Sequence, residues 1–160
     1  MDEKALFMRH WKNEASATRK VLARVPDEKS DYRPHPASRT ARELATLIVV
    51  EERALLAALE TGRFDWAEPR ALPSMKDVIA LYDRDHDETT RRLDALDVAN
   101  WEAHIPTFVG GHEVMNETGH AHAWVLLFDQ IHHRGQLSTY LRPMGAKVPS
   151  IYGPSGDEMS

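Results

Sequence analysis

Apolar residues recur every three to four positions along four long stretches, and a proline or glycine closes most of them. In the first, roughly Glu3 to Val25, Leu6, Phe7, Trp11, Ala15, Thr18, Val21 and Leu22 predict an amphipathic helix that Pro26 ends. Ser30 to Pro36 carries two prolines among polar residues and reads as a loop. The second helix is predicted from about Ala41 to Glu60. Thr40-Ala41-Arg42-Glu43 is a capping box at its start, and Thr61-Gly62 is its stop. Its buried face would be Leu44, Leu47 or Ile48, Glu51, Leu55 and Leu59. Gly62 to Pro73 reads as a loop that holds Trp66. Ser74-Met75-Lys76-Asp77 opens a third helix, with Val78, Ile79, Tyr82, His86, Thr89, Leu93 and Leu96 at helical spacing. The fourth runs from about Gly119 to Arg142 through Val125, Leu127, Phe128, Ile131, Leu137, Tyr140 and Leu141, and Pro143 and Gly145 stop it.

Between Trp101 and Thr118 the helical rhythm fails. Ile105 to Val109 and His112 to Val114 flank Gly110-Gly111, which predicts a short hairpin. The tail from Ala146 to Pro154 is irregular, and Ile151 and Tyr152 predict that it packs along the outside. The expected fold is all-α: a four-helix bundle with a long connection before the last helix, in a single domain of residues 1–160.

Several polar residues disturb this pattern. Glu51 interrupts the apolar face of the second helix, either as an edge residue whose carboxylate reaches water or as a ligand facing the interior. Asp129 and His133 stand four apart on the last helix and so project from one face. A carboxylate and an imidazole at that spacing can share a divalent ion or a hydrogen bond. Gln136 follows one turn on and could support the imidazole. His86 lies on the apolar stripe of the third helix, as a hydrogen-bonded packing residue or as part of a site.

Composition narrows the chemistry. Cysteine is absent, which excludes disulfides, a cysteine nucleophile and thiolate-bound zinc. A formal net charge of -5 without a basic stripe argues against nucleic acid. No apolar run approaches the ~20 residues that span a bilayer, and the mixed charges of Met1 to Leu6 lack a signal-peptide core. The expectation is a cytoplasmic protein without a membrane partner. Phosphate-binding glycine loops and the Gly-x-Ser-x-Gly elbow are missing. His112-Glu113-Val114-Met115-Asn116 falls one residue short of a zinc-protease motif and follows two glycines, so it is a chance match. His120 and His122, near a helix start, are expected to be exposed; His122 lies two turns, roughly 10 Å, from Asp129.

The run from His132 to Arg142, HHRGQLSTYLR, followed by Gly145, Val148-Pro149 and Tyr152-Gly153-Pro154-Ser155, resembles the C-terminal signature of the DinB family, the DinB/YfiT-like metalloenzymes. Tyr32-Arg33-Pro34 and Arg42-Glu43-Leu44 are similar to that family as well. The resemblance implies an up-down-down-up four-helix bundle, frequently a homodimer. It also implies a divalent metal, commonly nickel or zinc, held by three histidines, one from the second helix and two from the last. Relatives include S-transferases that use bacillithiol, mycothiol or glutathione, and a maleylpyruvate isomerase.

The sequence departs from that ligand pattern. His133 matches the final histidine, but Asp129 stands where the preceding one is expected and Leu47 where the second-helix histidine is expected. Leucine cannot bind metal, and Glu51, one turn beyond it, is the nearby donor that could compensate. Glu51, Asp129 and His133 are therefore the expected ligands of a nickel, zinc, manganese or iron ion. The enzyme would be a metal-dependent transferase or hydrolase, acting on a small electrophile with a thiol. The opposing expectation is a silent bundle that has lost its metal and binds a small ligand or a partner, with Asp129 simply hydrogen-bonded to His133.

Overall fold

The computed structural model describes residues 2–159. Four helices of 21 to 23 residues dominate it: α1 (Glu3–Arg24), α2 (Ala41–Thr61), α3 (Met75–Ala95) and α5 (Gly119–Leu141). Each begins on a side chain that accepts a hydrogen bond from a free amide of the first turn, as the sequence signals require: Asp2, Thr40, Ser74 and Thr118. The capping box of α2 is complete, with Thr40 Oγ1 accepting from the Glu43 amide and Glu43 accepting from the Thr40 amide. Gly62 closes α2 in the left-handed conformation, φ 70°.

α1 packs on α3 and α5, and α2 packs on α3 and α5. The directions follow from the core. One apolar cluster joins Val21 and Leu22 of α1, Leu44 and Ile48 of α2, Val78 of α3, and Leu137 and Leu141 of α5. The other joins Phe7 and Trp11 of α1, Leu55 and Leu59 of α2, Leu93 of α3, and Leu127 of α5. The end of α1 therefore lies with the starts of α2 and α3 and the end of α5, so α1 and α5 run one way and α2 and α3 the other.

That arrangement has the long connection before the last helix, and it adds a second crossing. α2 and α3 are parallel, so residues 62–74 must travel back along the molecule. The Leu72 amide donates to Thr46 Oγ1 (3.0 Å), and the Met75 amide donates to Asp27 Oδ1 (2.8 Å), which anchors the far end of that crossing. The longer stretch between α3 and α5 joins antiparallel helices that lie diagonally across the bundle, because each packs on α1 and α2.

The all-α expectation is also corrected, because a three-stranded sheet is present. The predicted hairpin forms as β2 (His104–Val109) and β3 (His112–Thr118), joined by Gly110 and Gly111 with φ of 58° and 82°. Inside the segment expected to be a loop, Phe64–Trp66 forms β1 and pairs in parallel with Thr107, Phe108 and Val109. A five-residue helix, α4 (Val98–Glu102), precedes the hairpin and buries Trp101. None of the helices among the described residues is long and apolar enough to cross a membrane.

Gly119, the first residue of α5, is pressed between α2 and α4. A methyl group on it would stand 2.6 Å from the Asn100 carbonyl oxygen and 2.6 Å from Leu59 Cδ2. At the other end of the chain Arg134, 2% exposed, ion-pairs with Glu14 (2.6 Å) and donates to the Tyr152 hydroxyl (2.6 Å). The Tyr152 hydroxyl donates in turn to Glu14 (2.7 Å), so the tail is tied along α1 and α5 as Ile151 and Tyr152 suggested.

Candidate functional site

Glu51 projects from the middle of α2, one turn after Leu47; Asp129 and His133 project from the middle of α5. The two helices are locked beside this point by Gln130, whose side-chain amide donates to the Ile48 carbonyl at 2.9 Å in the buried interior. One donor atom from each of Glu51, Asp129 and His133 lies within 4.8 Å of the others. Glu51 is 1% exposed, so its carboxylate does not reach water as an edge residue would. His133 is buried as well, whereas Asp129 keeps 43% of its side chain open. The group is thus closed on the α2 side and open on the side of Asp129.

The protonation states follow from burial and neighbours. Burial pushes the Glu51 carboxyl up to about 9, and the nearby Asp129 carboxylate adds to the rise. Asp129 is held low by His133, and His133 is raised by Asp129, with Nε2 and Oδ2 3.3 Å apart. Where two carboxyls meet, one keeps its proton; here it is the buried one. Among the described residues no donor reaches the buried Glu51 Oε2.

His133 is oriented by its other nitrogen. Nδ1–H donates to Gln136 Oε1 (3.0 Å), while Gln136 Nε2 donates to His132 Nε2 (3.0 Å), which sets the side-chain amide the right way round. With Nδ1 so engaged, His133 Nε2 faces Asp129 and Glu51: it donates to Asp129 when the ring is charged and offers a lone pair when it is neutral. Gln136 thus occupies the supporting place that its spacing suggested.

The remaining candidates are structural. His86 donates from Nδ1 to the buried Glu52 carboxylate (3.0 and 3.1 Å) and is stacked between the rings of Trp11 and Tyr82. It is a packing residue: against the lowering effect of burial, the neighbouring Glu52 raises its pKa. His122 corrects the expectation of exposure: it is 1% exposed, donates from Nδ1 to the Thr118 carbonyl and accepts from the Thr107 hydroxyl. His112 and Glu113 lie on the exposed strand β3, far from any helical pairing.

Sequence reasoning missed Arg39 and Glu68. Arg39 precedes α2, and its charge acts on Glu51, Asp129 and His133. It holds Glu68 by two bonds, Nε to Oε1 at 2.7 Å and Nη2 to Oε2 at 2.9 Å. Neither residue breaks an apolar face, and they are 29 positions apart, so no pattern in one dimension joined them.

Parallel α2 and α3 bracketed by α1 and α5, with an acid-and-imidazole group between α2 and α5, place the chain in a defined class. Residues 1–160 match the DinB family, and the chain belongs to it. Among its relatives, the uncharacterised protein YrdA of Bacillus subtilis strain 168 is 28% identical over 156 residues, covering 95% of this chain and 89% of that one. Two crystal structures share the fold. A DinB-like protein from Bacillus cereus aligns with a TM-score of 0.74 at 20% identity, covering 91% of this chain and 95% of that one. A DinB-like protein from Bacillus subtilis aligns with a TM-score of 0.72 at 19% identity, covering 97% and 99%.

Proposed function

We propose that this chain is a metal-dependent enzyme in which Glu51, Asp129 and His133 hold a divalent ion, and that it joins a low-molecular-weight thiol to a small electrophile. The observation that carries the reading is Glu51 Oε2, buried without a hydrogen-bond donor and within a few ångströms of a second acid and an imidazole. Two facing carboxyls, one of them buried, are costly unless one keeps a proton, as Glu51 does here, or a cation takes that proton's place. Ligand atoms on one ion stand roughly 3–3.5 Å apart, so the three side chains need to close by about an ångström. Two oxygens and one nitrogen favour manganese, iron or zinc over ions that prefer sulfur.

When bound, such an ion lowers the pKa of a coordinated thiol or water and so supplies a nucleophile at neutral pH. The chain does the rest. Gln136 keeps the His133 Nδ1 proton in place, so that Nε2 stays available. Leu47, one turn before Glu51, is buried, and the half-open Asp129 marks the direction from which a substrate enters. Thiol transfer is supported by the thiol-dependent transferases of the family. The same resemblance supports a homodimer of 18.2 kDa chains, which sedimentation velocity tests directly.

The decisive experiment is metal analysis of untagged protein after exposure to manganese, iron, nickel and zinc in turn. Close to one ion per chain is expected for the wild type, and loss of most of it in His133→Ala. Gln136→Leu should weaken the affinity about 10–100-fold without removing a ligand. Wild-type protein that retains none of the four metals would overturn the proposal.

A further inference from the structure

A broad cleft lies beside the triad rather than on it. It has a volume of about 990 Å³ and runs between the loop before α2 and the end of the crossing segment. Arg33, Arg39, Arg42 and Arg70 line it against Glu43 and Glu68. Four guanidinium groups against Glu43, Glu68 and the Asp31 that Arg42 pairs with leave one positive charge over, in a chain whose formal net charge is -5. Such a cleft concentrates small anions.

The arginines differ in what they are free to do. Arg42 is committed to the walls: it ion-pairs with Asp31 and donates to the Pro73 carbonyl at 2.6 Å. Arg33 stands 4.0 Å from Glu43, and Arg70 is exposed and pairs with no carboxylate among the described residues. Arg39 is the link to the triad. It lines this cleft and also a smaller one of about 530 Å³, whose wall includes Gln136, the residue that orients His133.

Arg39 also shows which anion it fits. It presents its Nε–Nη2 edge to Glu68 in two parallel bonds, the fork by which a guanidinium recognises a planar carboxylate. Both partners are open to solvent, with 40% and 55% of their side chains exposed. An ion pair that exposed is weakly held and exchanges readily.

We propose that Glu68 is a tethered stand-in for the carboxylate of a small-molecule substrate or co-substrate, which displaces it from Arg39 and so aims its remaining atoms at the triad. Binding itself depends on Arg39 and Glu68 alone; what then reacts rests on the metal reading given above.

Calorimetric titration with succinate and, separately, inorganic phosphate tests this on protein as purified, with its metal content measured in parallel. Succinate is expected to bind the wild type and to bind Glu68→Gln about five- to tenfold tighter, because the internal competitor is gone. A gain of that kind cannot come from misfolding. Arg39→Lys should bind succinate at least about tenfold more weakly, since an ammonium cannot form the fork. Unchanged affinity in either variant overturns the proposal, as does phosphate binding the wild type as tightly as succinate. Loss of metal with the succinate pattern intact would sink the metal reading alone. Retained metal with no succinate pattern would sink the cleft alone.

Discussion

Glu51 spends pH 5 to 8 in a protonation state that free glutamate leaves near 4.5, because burial and Asp129 hold its carboxyl at about 9. The folded chain therefore binds this proton more tightly than the unfolded chain does. Stability from this source is complete below 4.5 and is lost as pH rises toward 9, by at most about 1.4 kcal/mol per pH unit. In metal-stripped protein, Glu51→Gln removes the dependence while keeping the shape. Urea unfolding at pH 5, 7 and 8.5 should show the Gln variant gaining on the wild type as pH rises. A gap that does not change with pH would mean that Glu51 ionises freely. The same residue was visible in the sequence as a charge on an apolar stripe, and Asp129 and His133 as a pair one turn apart. What periodicity could not supply was depth: the 3.6-residue repeat marks a face, and whether a carboxylate on its edge turns inward depends on the neighbouring helix.

Helix starts and stops were legible because their chemistry is local. A threonine, a glutamate three residues on and a glycine nineteen further fix the limits of α2 whatever it packs against. β1 was illegible for the opposite reason. Its three residues are ordered by Thr107 to Val109, more than forty positions away, and nothing in Phe64-Asp65-Trp66 alone requires a strand. Helix direction was equally hidden from periodicity, since amphipathic patterns carry no sense of up or down, and only the family resemblance implied it. Between elements the bond most open to test is Glu52 of α2 with His86 of α3, 5% and 13% exposed at the side chain. Removing one partner strands the other's polar atoms in the core. Glu52→Ala is expected to cost about 3 kcal/mol in equilibrium urea unfolding. A loss below about 1 kcal/mol would show the pair to be solvated.

Across the whole molecule, the two halves of the triad are supported by different parts of the chain. Glu51 is fixed by α2, whose first turn is braced by Arg42 and the crossing segment; Asp129 and His133 are fixed by α5, which is tied next to His133 through Arg134, Glu14 and Tyr152. Gly119 governs the near end. Gly119→Ala has to force apart the Asn100 backbone and Leu59, at a cost of about 1–3 kcal/mol. In a chain of this size that lowers Tm by roughly 2–4 °C per kcal/mol. Gly135→Ala, on the same helix with open space at its Cβ, should be neutral or raise Tm slightly. Asp129 and His133 follow Gly119 by ten and fourteen residues, about 15 and 21 Å along a rigid rod. A rod seated on bare backbone has a single insertion depth, and a shim as thin as one carbon at its foot lifts both side chains out of line with Glu51. The position most able to detune the pocket without touching it is therefore one that has no side chain at all.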